Sequence, residues 1–194
     1  MTLYLASASP RRRELLARVG VSFVVAPADV DETQHAGEAP LAYVARVAAA
    51  KASAIAVGPG DWVLAADTIV VDGDDVLGKP VDGVEAAAML RRLAGRSHRV
   101  TTAFVVRGAA HHAEAVTTEV ELAPLTEAEV AGYVASGEWR GKAGGYALQG
   151  IAGGFVRRVT GSVTGVVGLP LAEVLAALRA LGAPGADLAA GQPA

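Results

Sequence analysis

Apolar and polar positions change period along the chain in a regular order, from runs of strand length to stripes of helical spacing and back. The apolar run Leu3 to Ala6 predicts a strand, "SPRRRELLARVG" a helix from Pro10 to about Gly20, and Ser22 to Ala26 a second strand. A loop rich in acids follows, "PADVDETQHAGEAP". From Pro40 to Val57 the helical stripe Leu41, Val44, Ala48, Ile55 also takes in Lys51. "DWVLAADTIVVDGDD" predicts a strand closed by an Asp-Gly turn, with "VLGKP" as the returning arm of a hairpin. A helix over "VDGVEAAAMLRRLAG" comes next, then two β segments, "HRVTTAFVVRG" and "HHAEAVTTEVELA", and a helix over "LTEAEVAGYVASG". His111 and His112 have no second ligand pair at metal spacing and read as a hydrophilic turn. Ten glycines between Gly137 and Gly168 predict loops where backbone comes close to a ligand or a strand. The amphipathic "PLAEVLAALRALG" predicts a last helix ending at Gly182, and the remainder, 183–194, a disordered tail. The order is that of an α/β protein, with one domain over 1–182.

Composition narrows the setting. The chain has 194 residues, enough for a real core, and no apolar run approaches the roughly 18 residues that a membrane span needs. Without a positive leader the N-terminus does not read as a secretory signal. Absence of cysteine removes disulfides, thiolate metal sites and cysteine nucleophiles, and fits a cytoplasmic home. A net charge of −3 argues against binding a nucleic-acid polymer, so any attraction for anions is local.

One local concentration of positive charge opens the first helix. Ser9 reads as N-cap and Pro10 as the first helical residue, followed by three arginines. A helix start already carries about half a positive charge, so each exposed arginine there is unfavourable by about 0.3–1 kcal/mol. Helical spacing puts Arg11 above Leu15 and Arg12 above Leu16, on the core side, while Arg13 points outward. With hydroxyls from Ser7 and Ser9, this set fits a phosphate; a solvated basic turn explains it equally well.

Asp67 interrupts an apolar strand, and a buried carboxylate needs a cation or a metal. A structural ion pair satisfies that need as well as a catalytic role does. Lys51 either snorkels to the edge of its stripe or points into a cleft. Lys79, between Gly78 and Pro80, is held in a turn of a kind common on surfaces. Glu32, next to Asp31, either ligates a hard cation or sits as solvated surface. Together these cations and carboxylates make up the inventory of phosphoryl chemistry on a metal-bound polyphosphate. "GEWRGK" is one residue short of a Walker A loop and follows a helix, and no G-x-S-x-G motif supports a triad of Ser7 with His98.

The ordered motifs "SASPRRRELL", "VDE", "ARVAAAKA", "AADTIV", "LGKP", "EAAAMLRRLAGRSHRVTT", "YVASGEWRGKAGGYALQG" and "GSVTGVVGLP" resemble those of the Maf family of nucleotide pyrophosphatases, septum-formation-inhibitor-like proteins, from Leu3 to about Leu181. The resemblance implies an inosine-triphosphate-pyrophosphatase-like fold, a mixed sheet flanked by helices in two lobes with an active-site cleft between them. It implies hydrolysis of a nucleoside triphosphate to monophosphate and pyrophosphate with a divalent cation, Mg²⁺ or Mn²⁺. Asp67 matches the general base and, with Glu32, the metal-associated acids. Ser7, Arg11, Arg12, Lys51, Thr68, Lys79 and Gln149 match the substrate-binding set. "ADT" with "YALQG" resembles the branch acting on dTTP and UTP, and the Gln149 carboxamide offers a donor and an acceptor that complement O4 and N3–H of uracil or thymine. The implied partner is a nucleoside triphosphate, with neither nucleic-acid polymer nor membrane, and a homodimer is left open. Two other functions remain in view: a non-catalytic nucleotide-binding regulator of cell division, and a pyrophosphatase of the 7-methyl-GTP or purine type.

Overall fold

Parallel pairing starts at the N-terminus, where β1 (Leu3–Leu5) lies between β2 (Val24–Val25) and β3 (Trp62–Asp72). A hairpin turn through Gly73 returns β3 as the antiparallel β4 (Asp75–Leu77). The turn residues are Gly73 and Asp74, between the paired Asp72 and Asp75, and glycine takes the first of these positions at φ +64°. β5 (Ser97–Arg107), β6 (His111–Leu122) and β7 (Val156–Thr160) complete a seven-stranded mixed sheet in the order β2, β1, β3, β5, β6, β7, with β4 on β3. The expected mixed α/β fold is therefore the observed one. The structure, a computed structural model, describes residues 1–185. By the density of its contacts the chain divides into two compact units, each discontinuous in sequence.

The first unit comprises Met1–Asp67, Thr102–Val116 and the chain from Gly168 on. Its residues Trp62 to Asp67 are all buried. A strand enclosed on both faces has no wet side to alternate with, which is why this stretch is nearly all apolar. Helix α1 (Pro10–Arg18) buries Leu15 and Leu16, and stops two residues short of the expected Gly20. Helix α2 (Pro40–Ala54) buries Val44, Val47, Ala48, Lys51 and Ala52. Its stripe is thus shifted: Leu41, expected inside, is exposed in the first turn, Val47 takes part instead, and Ile55 is the C-cap. The second strand is shorter than Ser22 to Ala26, with both residues exposed. Of the expected disordered tail, Ala183 is buried and donates its N–H to the Leu178 carbonyl, which closes the last helix. Residues 186–194 lie outside the described residues.

The second unit comprises Thr68–Thr101 and Thr117–Val167. Helix α3 (Gly83–Leu93) is capped by Asp82, whose side chain accepts from the Glu85 N–H. Helix α4 (Glu127–Ser136) has a reciprocal capping box between Thr126 and Glu129. They cover a core that includes Val70, Leu90, Leu93, Val100, Val120, Val130 and Tyr133. The glycine-rich region is more ordered than loops alone. It holds two 3-10 turns (Ala143–Gly145 and Ile151–Phe155), the strand β7 and a short helix, α5 (Val163–Val167). Gly144, at φ +68°, is needed where it stands, because a Cβ there would lie 3.0 Å from Val70. β7 pairs antiparallel with β6, placing Arg158 opposite Glu121 with a 3.2 Å ion pair. The two histidines begin β6, as the β segment "HHAEAVTTEVELA" predicts, and are not the hydrophilic turn, which comes earlier, where the Gly108 N–H donates to the Ala110 carbonyl. The last helix, α6 (Leu171–Leu181), belongs to the first unit and ends at Gly182 as expected.

Candidate functional site

In the first unit, Lys51 projects from the last turn of α2 and is only 6% exposed. Snorkelling is therefore not its solution. Its ammonium lies 2.8 Å from Asp67 Oδ1 and 2.7 Å from Glu32 Oε1, so one buried cation joins the two carboxylates. Asp67, 8% exposed, owes its place to β3, and Glu32 comes from the loop between β2 and α2.

The start of α1 supplies the second part. Arg12 is 8% exposed, Arg11 is half-buried and Arg13 is exposed, in the order the helical spacing predicts. Arg12 Nε donates to the Gly168 carbonyl at 2.7 Å, and Nη1 donates to Ser7 Oγ at 3.1 Å. Burial lowers the Arg12 pKa first of all, and the charges of Asp67 and Glu32 act in the opposite direction. Those influences tie the arginine electrostatically to the carboxylates. Burial lowers the pKa of Arg11 as well. Ser9 is the N-cap by backbone geometry, yet its side chain caps nothing; its own N–H donates to Ser7 Oγ at 3.2 Å. No acidic residue occupies the first turn of α1.

Thr68, Lys79 and Gln149 belong to the second unit. Lys79 and Gln149 are exposed and Thr68 is half-buried. The segments that carry Lys79 and Gln149 are tied together: the Gly144 N–H donates to the Gly78 carbonyl at 3.0 Å. The turn after Gln149 is pinned by Glu138, whose Oε2 accepts from the Ile151 N–H at 2.8 Å. Tyr146 is fixed by a 2.7 Å hydrogen bond between its hydroxyl and His98 Nε2.

Residue patterns did not reveal what holds the Glu32 loop. Tyr43 Oη donates to the Glu32 carbonyl at 2.7 Å, and Arg46 grips both Glu38 and the Thr33 carbonyl. Tyr43 stands eight residues before Lys51, on the same face of α2, and that spacing was the available signal. The Gly168 carbonyl had none, since a backbone acceptor looks the same under every residue type.

Glu32 and Asp67 are brought together on the Lys51 ammonium, their oxygens are of the hard donor type that a divalent cation takes, and among the described residues no group of three His, Cys, Asp or Glu stands together.

A family model described as "Maf-like protein" matches residues 2–181. A protein of Cereibacter sphaeroides named dTTP/UTP pyrophosphatase is 53% identical over 186 residues, 95% of this chain and 97% of that one. Proteins of the same name from Myxococcus xanthus and Anaeromyxobacter dehalogenans are 52% and 54% identical, each over 94% of this chain and over 93% and 95% of their own lengths. Among solved structures, a HAM1 protein from Coxiella burnetii is 18% identical with a TM-score of 0.44, covering 64% of this chain and 75% of that one.

Proposed function

We propose that this chain, which belongs to the Maf-like protein family, hydrolyses dTTP and UTP to the nucleoside monophosphate and pyrophosphate in the cytoplasmic nucleotide pool. The observation that carries the reading is the buried ammonium of Lys51 shared by Asp67 and Glu32. A structural ion pair needs one carboxylate for one lysine. Here two carboxylates gather on one buried ammonium, with the buried Arg12 feeling the charge of both, which collects in one place the acids and cations that chemistry on a triphosphate needs. The relatives named dTTP/UTP pyrophosphatase support the substrate class.

In this mechanism Arg11, Arg12 and the start of α1 receive the phosphates, whose charge reverses the penalty of arginines at a helix start. Arg12 reaches them already oriented, because Ser7 and Gly168 fix its guanidinium. Asp67 accepts the proton of a water that attacks the α-phosphorus. Lys51 holds the Asp67 carboxylate in place for that step. Glu32 and Asp67 would hold a divalent cation, which would supply charge neutralisation for the pyrophosphate leaving group. Thr68 and Lys79 act as further substrate ligands, and the Gln149 carboxamide pairs with the pyrimidine edge. A pure nucleotide binder would need the cations but no carboxylate inside β3, which disfavours the regulator reading.

The test is product analysis. Purified protein with Mg²⁺ or Mn²⁺ is given dTTP, UTP, GTP and 7-methyl-GTP, and monophosphate and pyrophosphate are both quantified. Equimolar monophosphate and pyrophosphate, fastest from the pyrimidines, is the expected result; release of inorganic phosphate and a diphosphate rejects the reaction.

A further inference from the structure

Glu32 has an exposed side chain on a loop without regular structure, yet its carboxylate is placed within 2.7 Å of a buried ammonium. Something must restrain that loop, and α2 does so from two positions. Tyr43 Oη donates to the Glu32 carbonyl at 2.7 Å. Arg46, beside it, donates through Nε to Glu38 Oε1 at 2.7 Å and through Nη2 to Glu38 Oε2 at 2.8 Å and to the Thr33 carbonyl at 2.9 Å. The His35 N–H also donates to Glu38 Oε2, at 3.0 Å, and the Arg46 guanidinium lies 5.7 Å from the centre of the Tyr43 ring. Arg46 holds the Glu38 carboxyl down to about pH 2, so this clamp persists throughout the working range. Burial and then the charges of Asp67 and Glu32 raise the Tyr43 pKa, which keeps the phenol a donor.

We infer that Tyr43 and Arg46 are positioning residues for the reaction: Tyr43 holds the main chain of Glu32 while Lys51, on the same helix, holds its carboxylate, and Arg46 fixes the loop on the far side. One helix thereby grips both ends of one residue. The inference rests on the proposed role of Glu32. It predicts an effect on turnover more than on nucleotide binding, because neither side chain is assigned to the nucleotide.

The experiment uses the full chain and the variants Tyr43→Phe, Arg46→Lys, Glu32→Gln and the double variant Tyr43→Phe/Glu32→Gln. Tyr43→Phe removes one hydroxyl and keeps the ring. Hydrogen exchange of the peptide spanning 30–38 should accelerate about 5-fold, the worth of one net hydrogen bond. kcat for dTTP should fall about 3- to 10-fold with KM within 2-fold. Arg46→Lys should not restore the wild-type values, since an ammonium cannot fork between Glu38 and Thr33. The deciding readout is the double variant. If Tyr43 acts through Glu32, Tyr43→Phe lowers kcat no further once Glu32 is Gln, whereas a general structural role multiplies the two losses. Multiplied losses, or unchanged exchange of 30–38 in Tyr43→Phe, overturn the inference and leave the proposed function standing. Full kcat in Glu32→Gln overturns the role of Glu32 itself, and the inference with it.

Discussion

In the second unit the imidazole of His98 is 3% exposed, donor or acceptor to Tyr146 Oη through Nε2 and without a hydrogen-bond partner at Nδ1 among the described residues. Protonation would place a charge in that dry position and leave an N–H at Nδ1 with nothing to accept it. Burial accordingly lowers the His98 pKa from 6.5 to about 4, with Asp72 opposing the shift only in part. Between those values the unfolded chain holds a proton that the folded chain refuses. Stability therefore rises with pH across the interval and is lost as pH falls from 6.5 toward 4. At about 1.4 kcal/mol per pH unit, the loss from this one group is about 3 kcal/mol. His98→Gln keeps a polar side chain near Tyr146 and removes the titration. Urea denaturation of both proteins at pH 7, 6, 5 and 4 should show the difference in unfolding free energy shifting by about 3 kcal/mol in favour of the variant as pH falls. Other acids contribute equally to both proteins and cancel. A difference that stays constant from pH 7 to pH 4 would refute the argument.

Three substitutions address the site. Asp67→Asn should fold and bind nucleotide while losing about 10²–10⁴-fold in kcat, the usual worth of a general base; near-normal turnover leaves Asp67 a structural role only. Arg12→Lys replaces a fork that serves the Gly168 carbonyl and Ser7 Oγ by a point charge, so urea titration should show a loss of about 1–3 kcal/mol and kcat/KM for dTTP should fall at least about 10-fold. Equal stability to the wild type would mean that the anchoring is replaceable. Gln149→Glu should lower kcat/KM for dTTP and UTP far more than for guanine nucleotides, because it removes the donor and leaves the base edge unpaired at a cost of about 1–3 kcal/mol; an equal loss on all nucleotides counts against base reading.

Much of this geometry was legible in the residues because burial constrains them. A carboxylate between "VLAA" and "IVV" and a lysine inside an apolar stripe each announced a partner, and the structure makes them partners of one another. The ordering of Arg11, Arg12 and Arg13 followed from helical spacing alone. What stayed hidden depended on atoms or lengths that carry little pattern. β7 is five residues with two arginines at its middle, exposed positions that give no alternating apolar signal. The Gly168 carbonyl and the Glu32 carbonyl are backbone acceptors, and Tyr43 reads as an ordinary aromatic on a helix until its hydroxyl is seen to have an acceptor. Leu41 misled because a stripe of correct period runs past the surface that it packs on.

Hydrolysis of dTTP in water enriched in ¹⁸O, with Mg²⁺ and the wild-type chain, tests the central claim most directly, because it reports which phosphorus is attacked. If Asp67 directs water to the α-phosphorus, the label appears in dTMP and the pyrophosphate carries none, with Asp67→Asn slowing that incorporation in step with turnover. Label in the pyrophosphate, or dTDP with labelled inorganic phosphate as products, would contradict the account.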